Sequence, residues 1–190
     1  MAREEGLTSE AQRRAYLEGH RRNPLTTTPL GGRTLSASQL LWFTLLPPRG
    51  FGVLTTTGRR TGKRRRKCVR AIRDGDKAYL VSLRGPYATW MRNVKANPEI
   101  ELRIRGGRFA GVARDLAHPE ERARAEDVYC GTVNEFDRLE YRMHRKGRPT
   151  DDAIRALHHH WFAVGTPLVV ELSTPGGPEP HGGRAVGSKT

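Results

Sequence analysis

Thirteen consecutive residues, TTTGRRTGKRRRK from Thr55 to Lys67, hold seven cations and no acid. Arg59, Arg60, Lys63, Arg64, Arg65, Arg66 and Lys67 repel one another at this density, and an anion relieves that repulsion. Guanidinium groups grip phosphate or carboxylate oxygens in bidentate pairs. The preceding Thr-Thr-Thr-Gly adds hydroxyls and backbone N–H groups, and a turn with exposed amides forms an anion-binding concavity. The chemistry is anion capture, by a nucleic acid, a membrane surface, or the phosphate or carboxylates of a coenzyme.

Two specific forms of it are excluded. A nucleotide-binding P-loop needs four residues between its glycines, then Lys, then Ser or Thr, then a helix. Only three residues separate Gly58 from Gly62, Arg64 follows Lys63, and the next segment has strand character. Sequence-specific nucleic-acid recognition needs a reading helix or stacking aromatics, and the basic stretch has no aromatic residue. Net charge of +14 and a pI near 10.8 predict only non-specific attraction to polyanions.

Other reactive residues are scattered. His158, His159 and His160 are adjacent, and adjacent helical residues point about 100° apart, so they do not converge on one metal ion. They read as a partly exposed helix end. Lys67 beside Cys68 could lower the thiol pKa, but a small buried strand residue is the simpler role. No Ser-His-Asp or Cys-His set is visible, and no metal site is expected.

The elements that must position the basic stretch follow from periodicity and punctuation. FGVLTTT (51–57), CVRAIR (68–73), KAYLVSL (77–83), EIELRIR (99–105), RFAGVARDL (108–116) and LVVEL (168–172) read as strands. Asp-Gly at 74–75 predicts a hairpin. Helices are predicted over 2–20, from Ser36 or Ser38 to Leu46, and from Thr89 to Asn97. Further helices begin at Pro119, at Asn134 with Asp137 as a capping box, and at Thr150. Phe136, Leu139 and Met143, and then Ile154, Leu157 and Trp161, fall at i, i+3, i+7 and predict the core faces of the last two helices. Tight turns between consecutive strands make the sheet mostly antiparallel, and six short strands tend to close.

The fold class is therefore α+β, a barrel of about six strands with flanking helices. Residues 1–34 form an N-terminal helix and loop, 35–174 the barrel domain, and 175–190 a disordered tail. Two cysteines in no framework spacing and a charged N-terminus point to the cytoplasm. LLWFTLLPP (40–48) is too short to span a bilayer but could lie on one, at the inner face of the membrane.

Three blocks together resemble the deazaflavin-dependent nitroreductase family. LTTTGRRTGKRR (54–65), LVSLRG (80–85) and TWMRNVKANPEIEL (89–102) match its motifs in order and spacing. The resemblance covers about residues 51–116, with weaker similarity to the end of the last strand. It implies a split β-barrel that binds coenzyme F-420, a deazaflavin with a phosphate and a polyglutamate tail. It maps the phosphate loop onto Thr56, Thr57, Gly58, Arg59, Arg60, Thr61 and Gly62, with Arg65 following. The strand end near the ring maps onto Ser82, Arg84 and Gly85, and the third block onto Trp90, Asn93 and Lys95. Lys67-Cys68 replaces an Asn-Pro of the family, and the loop before Trp90 is shorter by about two residues. Of the tyrosine cluster in nitroreducing members only Tyr129 has a match, with Thr132 and Phe136 where others are expected.

The expected function is hydride transfer from reduced coenzyme F-420 to a small-molecule electron acceptor: a quinone, an activated alkene or a nitro compound. Tyr129 is the candidate proton donor. The alternatives are FMN in the same barrel, a non-catalytic carrier of coenzyme or lipid, and a basic nucleic-acid module. The oligomeric state is left open.

Overall fold

The computed structural model describes residues 40–173. The predicted helix over 2–20, its loop, the caps at Ser36 or Ser38 and the tail after Pro175 lie outside the described residues.

Six strands close into an antiparallel barrel: β1 Phe51–Thr57, β2 Arg64–Asp74, β3 Lys77–Ser82, β4 Glu99–Ile104, β5 Gly107–Arg114 and β6 Thr166–Leu172. Their order around the barrel is β1-β2-β3-β6-β5-β4. Gly75, at φ 62°, opens the two-residue turn between β2 and β3 that Asp-Gly predicts. Alternation builds two cores from one sheet. Ala78, Leu80, Leu102, Ile104, Leu168 and Val170 point inward and meet Met91 and Val94 of helix α1 (Thr89–Ala96). Tyr79 and Val169, on the opposite face of their strands, pack with Ala125 and Tyr129 of α2 (Pro119–Gly131) and Phe162 of α4 (Asp151–Val164). Helix α3 (Glu135–His144) lies between α2 and α4 in the chain, and Phe136 stacks edge-on against Phe51 and Phe43 at 4.6 and 5.3 Å.

The barrel parts at one seam. β2 pairs with β1 from Phe51↔Arg70 to Thr57↔Arg64, but with β3 only from Ala71↔Leu80 to Asp74↔Lys77. β3 runs on beside β6 as far as Ser82↔Thr166. Residues 64–70 of β2 therefore have a partner strand on one side alone. This seam, not the barrel interior, holds the molecule's main cavity.

Four expectations are corrected in detail. β2 begins at Arg64 rather than Cys68, because Thr55, Thr56 and Thr57 give Arg66, Arg65 and Arg64 a ladder partner while those arginine side chains stay exposed. Only residues 58–63 remain loop. The α3 stripe is rotated: Leu139 and Met143 are 44% and 37% exposed, and the helix turns Asp137 and Glu140 to the cavity instead. In α4 the buried positions are Ile154, His158 and Phe162, at i, i+4, i+8, while Leu157 and Trp161 face the cavity. The residue before α1, Ala88, takes the cap position that Thr89 was expected to fill; Thr150 does cap α4, accepting from the Ala153 N–H at 3.3 Å.

Candidate functional site

The seam between β2 and β3 opens into a cavity of about 980 Å³. Its walls are residues 65–70 of β2 on one side and Val81–Arg84 on the other, with α3 and α4 at one end and the loop 58–61 at its rim. The N–H of Ala71 donates to Gly50 on the β1 side at 2.9 Å. By the alternation of an antiparallel ladder, the N–H and C=O of Arg66 and Cys68 then face the seam. A ligand there meets strand-edge hydrogen-bonding groups as well as side chains.

The rim is built to stay open and positive. Gly58 accepts from the N–H groups of Thr61 and Gly62 at 3.1 and 2.7 Å, and donates to Lys63 at 2.9 Å. Gly62 takes φ 65° to complete the turn. A Cβ on Gly58 would meet the Lys63 carbonyl at 3.0 Å, so a side chain there would press on the turn. Asn93, buried on α1, donates to Thr56 Oγ1 at 3.2 Å and accepts from the Arg59 N–H at 3.3 Å, tying the loop to the helix. Of the seven cations in the basic stretch, Arg64 alone reaches a carboxylate, Glu101 at 2.8 Å. The other six make no ion pair among the described residues. Their side chains are exposed.

The deep end has the opposite character. Arg70 lies five residues beyond Arg65 on β2, about 16 Å along the strand. It spends every nitrogen: Nε on Asp137 Oδ1 at 3.2 Å, one terminal nitrogen on the Tyr129 carbonyl at 2.9 Å, the other on the Thr132 carbonyl at 2.7 Å and beside His158 Nδ1 at 3.2 Å. Its guanidinium also lies 4.4 Å above the Tyr129 ring. Asp137 is the N3 residue of α3, and its other oxygen accepts from the Asn134 N–H at 2.8 Å, as the predicted capping box requires. Burial raises the Asp137 carboxyl, but contact with His158 and the charge of Arg70 outweigh it and hold the group below its ordinary value. Burial lowers His158 despite Asp137, so the imidazole is neutral near pH 7. Burial pushes the Tyr129 phenol up to about 12, although Arg70 opposes the shift.

Most of the expected site residues meet at this cavity. Thr56, Gly58, Arg59, Arg60, Thr61, Arg65, Ser82, Arg84, Trp90, Asn93 and Tyr129 line it. Thr57 and Gly62 belong to the rim's backbone without lining it. Ser82 is buried and its hydroxyl donates to the Gly85 carbonyl at 2.9 Å, fixing a turn in which Gly85 takes φ 53°. Trp90 packs partly on the barrel core as well. Lys95 stands apart, paired with Asp115 away from the lining. Burial raises the Cys68 thiol despite Lys67, so the thiolate is not favoured. The three histidines diverge, but His158 is buried at the cavity rather than part of an exposed helix end.

Sequence reasoning missed Arg70, Asp137, Glu140 and His158. A signal for the first was present: Cys68, Arg70 and Ile72 share one face of a period-two strand, so a buried Ile72 carries Arg70 inward with it. Asp137 was read for its cap alone, and nothing local marks the second partner it finds in β2.

A profile described as F420H(2)-dependent quinone reductase matches residues 44–146. The F420H(2)-dependent quinone reductases Rv1261c and MT1299, from two strains of Mycobacterium tuberculosis, are each 32% identical over 103 residues, 51% of this chain and 66% of theirs. The aligned region thus spans just under two thirds of those relatives. Among solved structures, an F420-H2 dependent reductase (FDR-A) overlays with a TM-score of 0.42 at 22% identity, covering 66% of this chain and 95% of its own. A domain-swapped dimer overlays at 0.46 with 23% identity, over 74% and 92%. Both overlays are loose, and the barrel rests on its own strand pairing. The profile covers more than half of the chain: this protein belongs to the F420H(2)-dependent quinone reductase family.

Proposed function

From that membership we propose that the chain is a coenzyme F-420-dependent oxidoreductase with a quinone as acceptor, activated alkenes and nitro compounds being the wider substrate class. One observation carries the reading: a cavity large enough for a ring system opens under a rim whose Arg59, Arg60 and Arg65 make no ion pair among the described residues. The residues fit the coenzyme's chemistry. Arg59, Arg60 and Arg65 suit a phosphate and a polyglutamate tail, with the hydroxyls of Thr56, Thr57 and Thr61 completing the anion cradle on a loop shaped by Gly58 and Gly62. Asn93 holds that cradle in shape. The seam edge at Arg66 and Cys68 and the turn Ser82–Gly85, flanked by Arg84 and Trp90, offer hydrogen bonds and stacking surface to a polar ring.

When bound, the reduced deazaflavin supplies a hydride from carbon 5. The chain's part is to clasp the anionic tail, to present the ring at the seam, and to keep water off it with α3 and α4. FMN offers one phosphate to the same rim, where the polyanionic tail offers several charges. Fluorescence titration of the protein with coenzyme F-420 and with FMN tests the choice. Tighter binding of coenzyme F-420, weakened by added salt, is expected. Tight binding of FMN alone overturns it.

The acceptor reading extends to where the acceptor is met. Leu41, Leu45 and Leu46 are 66%, 66% and 72% exposed and Trp42 is 48% exposed, with Arg49 and Arg105 close by around Trp42. No helix among the described residues is long and apolar enough to cross a membrane. An apolar face beside cations suits peripheral contact with an anionic bilayer, from which a lipid-soluble quinone is drawn. Co-sedimentation with anionic vesicles, lost in Leu45→Asp, tests this.

A further inference from the structure

We propose that Glu140 is the proton donor to the reduced acceptor, a role that rests on the quinone-reductase reading above. Hydride addition to a quinone leaves a hydroquinone monoanion, which needs one proton to become neutral. In this step the Glu140 O–H bond breaks, a new O–H bond forms on the hydroquinone oxygen, and Glu140 is left as a carboxylate. The reduced deazaflavin is the two-electron donor. Solvent entering by the cavity mouth returns the proton to Glu140.

Several other polar and charged groups face the cavity's deep end. From β2 comes Arg70, every nitrogen committed. From α2 comes Tyr129, whose phenol burial pushes up to about 12, too weak an acid to give up its proton readily near neutrality. From α4 comes His158, neutral and held against Arg70 and Asp137. From α3 come Asp137, ionised and bound to Arg70 and the Asn134 N–H, and Tyr141. Arg145 follows α3.

Glu140 is different. It lies one turn after Asp137 on the same face of α3, lines the cavity, and is half-buried. It makes no hydrogen bond or ion pair among the described residues. Burial first and the Asp137 charge second raise its carboxyl to about 7, against the pull of Arg70. It is thus a carboxylic acid facing the reaction space, poised where proton transfer is efficient at cellular pH. The neighbouring ion pair sets this up: Arg70 is drawn away to Asp137 and the α2 carbonyls, so Glu140 feels an anion at close quarters and no cation hydrogen-bonds to it.

The test uses Glu140→Gln, which preserves shape and breaks no contact, and Glu140→Asp. In the cofactor-free protein, carboxyl-carbon NMR of glutamate-labelled chain is expected to show one resonance with a midpoint near pH 7 that Glu140→Gln removes. With coenzyme F-420 and a soluble quinone, Glu140→Gln is expected to bind the coenzyme as the native chain does and to lose about 100-fold in kcat at pH 6. The native fall in rate above pH 7 should vanish with it, and Glu140→Asp should restore part of the rate. A Glu140 midpoint in the ordinary carboxylate range overturns the proposal. So does a Glu140→Gln enzyme with native rate and pH profile, and in that case the quinone-reductase reading stands. A native chain that binds no coenzyme overturns that reading and the proposal together.

Discussion

Arg65 and Arg70 sit on one strand, five residues apart, and do opposite things with the same guanidinium group. Arg65 meets no carboxylate among the described residues, and its charge faces solvent. Arg70 is buried, 8% exposed, with each nitrogen assigned to a carboxylate, a carbonyl or an imidazole. A charge kept unpaired at a surface costs the fold little and remains available to a ligand. A charge taken inside must be satisfied completely, and once satisfied it joins the elements that supply its partners. Here it ties β2 to α2, α3 and α4, the elements that close the cavity's far end. The rim therefore keeps its charge accessible, while the deep cluster holds four elements together.

The sharpest way to break this contrast is Arg70→Met. It leaves Asp137 buried without its cation and should cost about 3–5 kcal/mol of stability in chemical denaturation. The double variant Arg70→Met with Asp137→Leu should recover much of that loss. Arg65→Met, the matching change at the rim, should leave the unfolding midpoint where it is. Equal losses from Arg70→Met and Arg65→Met would end the distinction.

The pH dependence of stability separates the regions next. Glu140 has a folded pKa of about 7 against 4.5 in the open chain. Ionising it therefore costs free energy only in the folded state, and native stability should fall as pH rises from about 4.5 to about 7. Glu140→Gln is spared, so its advantage over the native chain should be nearly absent at pH 4.5 and reach about 3 kcal/mol above pH 7. Paired thermal melts across that window check the sign. Rim substitutions should show no such trend.

Binding reads the rim. Arg59→Glu and Arg60→Glu each replace attraction by repulsion and should weaken coenzyme F-420 by at least ~1.4 kcal/mol, a tenfold rise in Kd, with unchanged stability. Fluorescence titration at low and high salt measures both the loss and its screening. The smallest effect is expected at Lys95, whose partner Asp115 is an exposed one. Lys95→Ala should move stability and coenzyme binding by less than ~0.5 kcal/mol. A tenfold loss of coenzyme binding would restore Lys95 to the site.

The same division marks what could be read from the residues alone. The barrel was legible because alternation in EIELRIR and the Asp-Gly turn are local signals, and the structure places β4 and the β2–β3 turn there. The rim was legible because unpaired charge is conspicuous in a sequence. The deep cluster was not, since each member had a sufficient local explanation. Arg70 was one cation among many, Asp137 a helix cap, and His158 part of a histidine run. Their meeting depends on α3 and α4 folding back over β2, a contact between residues 67 and 88 positions apart. The α3 stripe misled for a related reason: periodicity identifies an apolar face, but the cavity draws the acidic face inward and leaves Leu139 and Met143 at the surface.

A strand that must keep one flank bare for a visitor also offers that flank to a sister molecule. Residues 64–70 of β2 would accept a second copy's strand as readily as any sheet edge, with aggregation the result. Arg65, Arg66 and Lys67 stand along that flank in both copies, and like charges facing one another oppose such pairing. Stripping them to neutral residues would surrender solubility along with affinity.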